Sequence, residues 1–208
     1  MKKWIDLTVL IDEYYKGYPG DIPFNVEKEK TISKDEYNLN RININMHVGT
    51  HLDAKKHMYD VPEGIEAIDI NKMIGKGIVI KPKITDGVIN TSDIISQYSG
   101  DAKILLLNLD FAKKFNSEAY YSPPRFTKDF FNFLIKKNIE VVGFDIPSPE
   151  YSSGDLLNMH RDLLGENITI IENLCNLDKL SKEITFIGLP LKIKGFDGSM
   201  LRCVAKNE

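Results

Sequence analysis

The chain has 208 residues, is 42% hydrophobic and 27% charged, and carries a formal net charge of −3. That length buries a core without covalent staples, and 27 Lys+Arg against 30 Asp+Glu leaves no basic excess for nucleic acid or an acidic membrane surface. Cys175 and Cys203 are the only cysteines and form no C-x-x-C pair, which excludes a disulfide scaffold and points to a reducing cytoplasm.

The N-terminal stretch MKKWIDLTVLIDEYY is interrupted by Asp6, Asp12 and Glu13 before a signal-peptide core can form, and no apolar run is long enough to span a membrane. No repeat or long Gly/Ser linker divides the chain, so a single domain over residues 1–208 is expected. Residues 4–11 read as a strand, followed by the turn Tyr18-Pro19-Gly20-Asp21. Extended segments are expected at 26–32 and 39–53, and a further strand at 77–84. A short helix follows at SDIISQY, with Ser92 or Asp93 as its cap. The apolar runs 103–110 and 139–145 suit the buried centre of a sheet. Between them Thr127 caps a helix over KDFFNFLIKKN, whose apolar stripe is read as Phe130, Phe131, Leu134 and Ile135. A second helix is expected over 153–165, with Ser153 as cap and Gly165 as stop, then a strand at 167–172. The segments ITFIGLPLKIK and SMLRCVA form a closing hairpin. The class is α/β, a mixed β-sheet with flanking helices.

Histidine usage is the informative anomaly: there are four in the chain, and three fall at positions 47, 51 and 57. From Arg41 to Asp53 the residues alternate, with Ile42, Ile44, Met46, Val48, Thr50 and Leu52 on one parity and Asn43, Asn45, His47, Gly49, His51 and Asp53 on the other. Period-2 alternation predicts a half-buried strand that places His47, His51 and Asp53 on one face. Gly49 then leaves space between the imidazoles. Two imidazoles and a carboxylate are donors for zinc, manganese or iron. His57, four residues on in Ala54-Lys55-Lys56-His57, is open to two readings, a fourth ligand or a base beside the metal. Spacing alone does not connect His160 or Glu172 to this group.

His47-x-Gly49-Thr50-His51-x-Asp53-x-x-x-His57 resembles the H-x-G-T-H-x-D-x-P-x-H motif of the cyclase family, which contains bacterial kynurenine formamidases and isatin hydrolases. The resemblance runs over nearly the whole chain. Trp4-Ile5-Asp6-Leu7-Thr8 and Tyr18-Pro19-Gly20-Asp21 are similar to the family's opening segments. Gly143-Phe144-Asp145-Ile146-Pro147-Ser148 is similar to its "G-x-D-x-x-S" stretch, and Leu189-Pro190-Leu191 with Asp197-Gly198-Ser199 and Arg202 to its closing hairpin. His160 and Glu172 match the family's downstream His and Glu. The resemblance implies a swivelling β/β/α fold, homodimers, and one or two divalent ions per chain. It implies His47, His51 and Asp53 as ligands, His160 and Glu172 completing a second position, and His57 as catalytic acid/base. Three departures stand out. Lys55 replaces the usual proline, which predicts a looser and more cationic His57 loop. Asn108-Leu109-Asp110 replaces Arg-Thr-Gly, and Met200 replaces a proline. Lys55 and the Asn108 segment are expected to border the substrate pocket.

The ligand set suits hydrolysis of a small-molecule amide, because a divalent cation polarises a carbonyl and lowers the pKa of its water to about 7. His57, as an imidazole, can take the water's proton and hand one to the leaving nitrogen. An aryl formamide such as N-formylkynurenine, or a cyclic amide such as isatin, is the expected substrate, with Tyr18 and Phe24, beside Phe111, as aromatic pocket walls. Zinc is the expected metal, with manganese the alternative. Two other classes remain open: a non-haem Fe(II) oxygenase built on His51, Asp53 and His160, and a metal-dependent binding protein without turnover.

Overall fold

The computed structural model describes residues 3–22 and 24–208. The strands are β1 (Ile5–Asp6), β2 (Asn25–Lys30), β3 (Leu39–Asn43), β4 (His51–Asp53), β5 (Ile74–Ile80), β6 (Ile84–Thr85), β7 (Val88–Ile89), β8 (Ile104–Leu107), β9 (Arg125–Phe126), β10 (Val141–Phe144), β11 (Thr169–Glu172), β12 (Glu183–Pro190) and β13 (Gly198–Asn207). The α-helices are α1 (Ile32–Asp35), α2 (Thr91–Gln97), α3 (Asp129–Lys136) and α4 (Asn158–Gly165).

The apolar runs form a parallel centre: β5 pairs with β8, β8 with β10 and β10 with β11. Every residue of β8, β10 and β11 is buried, as expected for strands covered on both faces. The closing hairpin is present as β12 and β13, in register from Ile184↔Asn207 to Pro190↔Leu201. The sheet runs β1-β13-β12-β5-β8-β10-β11-β4, and β4 also pairs with β13. That extra ladder curls the mixed sheet into a closed, barrel-like core. Side chains pointing inward from it, such as Leu52, Leu106, Val141, Ile171 and Phe186, make one apolar cluster. Those pointing outward, including Leu105, Val142, Phe144 and Ile170, pack with Phe130, Phe133 and Leu134 of α3 and Met159 and Leu163 of α4. Period-2 alternation thus separates two cores.

Several local expectations need correction. The predicted strand 4–11 shrinks to β1, with one further bridge at Thr8↔Leu174. The predicted strand 39–53 is two strands. Among the described residues β3 pairs with β2 alone, in an exposed ribbon, and residues 44–50 turn before β4, with Gly49 at φ 63°. Alternation describes side-chain parity but says nothing about which partner each half of the segment finds. The cap of α2 is Asn90, not Ser92 or Asp93. The residue before α3 is Lys128, while the Thr127 hydroxyl bonds to that of Thr91 at 3.0 Å. On α3 the buried residues are Phe130, Phe133 and Leu134, and Ile135 faces outward. The second predicted helix starts at Asn158, not after Ser153. Leu157 precedes it in the left-handed region at φ 65°, and its N–H donates to both oxygens of the Glu150 carboxylate at 3.0 Å.

Phe144 is fully buried on β10 with its ring 5.3 Å from that of Phe126. Phe144→Ala is expected to lower unfolding free energy by about 3–5 kcal/mol, measured by urea denaturation.

Candidate metal centre

Strand β4 is the spine of the site. His51 lies opposite Glu172 of β11 and Met200 of β13, and Asp53 opposite Ile170 and Gly198. Residues two apart on a strand share a face, so His51, Asp53 and Glu172 project together towards α4, while Leu52 turns into the barrel interior. Helix α4 lowers His160 onto the same point. The contacts are short: His160 Nε2 lies 2.9 Å from Glu172 Oε1 and 3.6 Å from Asp53 Oδ2. His51 Nε2 lies 3.4 Å from Asp53 Oδ1 and 3.3 Å from Glu172 Oε2.

His47 reaches this cluster by a different route from the one its parity suggested. It sits in the turn 44–50, and its ring folds back so that Nδ1 is 2.8 Å from Asp53 Oδ1. Two glycines make this possible, and neither acts as a simple gap between imidazoles. Gly49 takes the left-handed conformation that L side chains avoid, and a Cβ there would lie 2.5 Å from Ile11 Cδ1. A Cβ on Gly198 would lie 2.8 Å from His47 Cε1 and 2.9 Å from the Leu52 carbonyl oxygen. His57 comes from the 3₁₀ turn Lys55–His57, with its ring 4.2 Å from that of His47 and 6.2 Å from that of His160. All five predicted ligand positions and His57 therefore meet in one place.

Sequence reasoning missed three contributors. Asp197, in the turn before β13, brings Oδ2 to 3.0 Å from His47 Nε2 and 3.4 Å from His57 Nδ1. In the sequence it stands only as part of the closing-hairpin segment Asp197-Gly198-Ser199, with no site role attached. Asn173 donates through Nδ2 to the Gly49 carbonyl at 2.8 Å and accepts from the Tyr120 hydroxyl at 2.7 Å. That same carbonyl faces His51 Nδ1 at 2.8 Å, which fixes the ring with Nε2 towards the carboxylates. Tyr15 accepts the Gly49 N–H at 3.1 Å.

Electrostatically the site is an anionic pit. Asp53 and Glu172 are 1% and 4% exposed, and buried carboxylates demand compensating positive charge or donors. Burial works against charging His47, yet hydrogen bonds to Asp197 and Asp53 prevail and push its pKa up to about 9. Burial likewise opposes protonation of His51, but hydrogen bonds to Asp53 and Glu172 push it up to about 10. Asp197 is held well below the ordinary carboxylate range by its hydrogen bonds to His47 and His57. A pit that draws protons onto imidazoles this strongly also suits a divalent cation, whose ligands are neutral imidazole nitrogen and carboxylate oxygen. The donor atoms of two sets, His47–Asp53–His57 and His51–Asp53–Glu172, each lie within 4.8 Å of one another. The buried Nδ1 of His160 has no hydrogen-bond partner among the described residues.

The cavity above the cluster holds about 230 Å³, walled by Tyr15, Tyr18, Phe115, Tyr121, Pro147 and Leu157 besides the histidines. Tyr18 is thus a wall, as expected. Phe24 is not: it lies next to β2, which leaves the site for the exposed ribbon. Phe111 is also absent from the walls, being buried against Tyr120 with ring centroids 5.8 Å apart. Neither Lys55 nor Asn108 borders this cavity. The N–H groups of Leu109 and Phe111 are instead gathered by the Asp145 carboxylate at 2.9 and 2.8 Å. Nor is the His57 loop loosened, since Lys55 Nζ donates to the Gly165 carbonyl at 3.0 Å. Met200 takes an ordinary ladder position in β13.

The family model described as "Putative cyclase" matches residues 5–151. A kynurenine formamidase from Bacillus cereus is 26% identical over 207 residues, covering 98% of this chain and 97% of the relative. One from Bacillus anthracis is 28% identical with the same coverage. Among solved structures, isatin hydrolase A from Labrenzia aggregata, bound to benzyl benzoate, superposes with a TM-score of 0.85 at 24% identity, covering 98% of this chain and 93% of its own. An isatin hydrolase bound to the product analogue thioisatinate gives 0.82 at 21% identity, covering 98% and 91%. These structures share the fold.

Gly198→Ala is expected to weaken zinc binding about ten- to a hundredfold, because the new methyl group displaces the His47 ring. Calorimetric titration of the metal-stripped protein with zinc measures it.

Proposed function

The chain belongs to the cyclase family, and from that premise we propose that it is a metal-dependent hydrolase of C–N bonds in small amides, an aryl formamide of the N-formylkynurenine type or a cyclic amide. The observation that carries this reading is the convergence of three imidazoles and two buried carboxylates, with His57 beside them, under an aromatic-walled cavity. Kynurenine formamidase relatives along nearly the whole chain and isatin hydrolase neighbours in fold support it.

In this reading His47, His51 and Asp53 hold a divalent ion, zinc before manganese, and His160 with Glu172 complete the set or hold a second ion. When bound, the ion supplies a Lewis acid for the amide carbonyl and acidifies a water. The remaining work belongs to side chains. His57 is partly open to the cavity, with 25% of its side chain exposed. With Nδ1 directed at Asp197, its Nε2 is left to accept the water's proton and return one to the departing nitrogen, which leaves poorly unless protonated. Asp197 orients that ring through Nδ1. Tyr18, Tyr121 and Phe115 offer faces for an aryl group and exclude water from it. The whole chain acts as one unit, in the cytoplasm and as a homodimer. Among the described residues no helix is long and apolar enough to cross a membrane.

The iron-oxygenase reading would use His51, Asp53 and His160, which do meet. It leaves His47, drawn onto Asp53 at 2.8 Å, without a part, and the closed α/β sheet is not a jelly roll. The silent-binder reading is separated from the enzyme by turnover itself. N-formylkynurenine hydrolysis, followed as formate release on metal-quantified protein, is expected to vanish with chelator and return with zinc or manganese. Full turnover in verified metal-free protein would overturn the proposal. His57→Asn is expected to keep its metal while kcat falls about a hundred- to a thousandfold.

A further inference from the structure

His57 stands on a short turn. Its backbone bonds, His57 N–H to the Ala54 carbonyl at 2.9 Å and the Met58 and Tyr59 N–H groups to the Lys55 carbonyl at 3.1 and 3.0 Å, close one turn of 3₁₀ type, a weak element by itself, which Lys56 Nζ ties to the Val61 carbonyl at 2.6 Å. Two side chains that bracket His57 both reach across to α4. Lys55 Nζ donates to the Gly165 carbonyl at 3.0 Å and approaches Asn167 Oδ1 at 3.4 Å. The Tyr59 hydroxyl donates to the Arg161 carbonyl at 2.9 Å. Lys55 Nζ also lies 5.7 Å from the centroid of the Tyr59 ring, so the two arms support each other. The Gly165 carbonyl is one of the orphan acceptors at a helix C-terminus, where a cation is favoured.

We propose that Lys55 and Tyr59 are positioning residues: they clamp the His57 turn to the end of α4 and so set the reach of His57 over the centre that His160 of the same helix helps to build. Lys55 thereby anchors the loop by a bond to a neighbouring helix, where a proline would stiffen it from within. Gly165 belongs to the device. A Cβ there would lie 2.7 Å from the Tyr59 oxygen, so a side chain at this position would push the hydroxyl off its place against α4.

The proposal rests on His57 as the proton-transfer group, and its test separates the two ideas. Lys55→Met, Lys55→Arg, Tyr59→Phe and Gly165→Ala proteins, each loaded with zinc and metal-quantified, are assayed on N-formylkynurenine and isatin beside the wild type. Lys55→Met, Tyr59→Phe and Gly165→Ala are expected to lose about tenfold in kcat, with KM, zinc content and thermal midpoint close to wild type. Lys55→Arg, which can still donate to the Gly165 carbonyl, is expected to recover most of the rate. Gly165→Ala is the sharpest arm, since alanine favours the helix while evicting Tyr59. A wild type without turnover on either substrate defeats the assignment of His57. An active wild type with Lys55→Met and Tyr59→Phe at full kcat defeats the clamp alone, as does a rate loss that tracks loss of zinc or one that arginine fails to rescue.

Discussion

Two carboxylates buried side by side set the terms for everything around them. Asp53 and Glu172 sit on adjacent strands, almost without solvent, and their mutual repulsion would be prohibitive without cationic or hydrogen-bonded partners on every open side. Three imidazoles supply those partners: His51 between the two carboxylates, His160 on Glu172 with Asp53 nearby, and His47 on Asp53 from the flank. The closed sheet serves this arrangement. The short strand β4 is held on both edges, by β11 and by β13, so neither His51 nor Asp53 can drift, and the Gly198 position keeps β13 close without crowding His47.

The ligand layer depends in turn on ordinary core physics. His51 is oriented by a peptide carbonyl, which Asn173 also binds, and Asn173 is held by Tyr120 from within the aromatic cluster. Asp145 is buried beneath the cavity, and burial pushes its pKa up even though it collects several backbone N–H groups. Its role is to pin residues 109–112, behind which Phe115 and Tyr121 form cavity walls. Helix α4 packs Met159 and Leu163 into the outer core, and this fixes the height at which His160 arrives. Core packing and site geometry are therefore one problem in this protein, and a displacement of α4 would be felt at the carboxylates.

Much of this was legible in residue order. Long apolar runs identified β8 and β10 as buried centre because strands covered on both faces have no polar parity to preserve, while β11 was read only as a short strand. Within His51-Leu52-Asp53 alternation was a reliable guide to direction. The motif residues, including distant His160 and Glu172, were assembled by family resemblance rather than by spacing, since a separation in sequence carries no distance until the strands are paired. The reading failed where one pattern covered two structures. Residues 39–53 alternate throughout, yet the first part belongs to an exposed ribbon and the last to the closed sheet, with a left-handed glycine turning the chain between them. Phe24 went astray because nearness in sequence to the Pro19-Gly20 turn says nothing of where the chain goes next, and it runs into β2 of the ribbon.

By itself, the order of residues determined the donor chemistry: imidazoles and carboxylates in a short segment, no thiolate pair, and strands apolar enough to form a buried centre. Donor type is a property of each side chain and survives any folding. Only the tertiary structure decided that His47 enters from a turn, that Asp197 and Asn173 belong to the site, and that Lys55 and Tyr59 grip α4 on either side of His57. Those are contacts between segments far apart in the chain, created when β4 closes the sheet, and no local pattern encodes them.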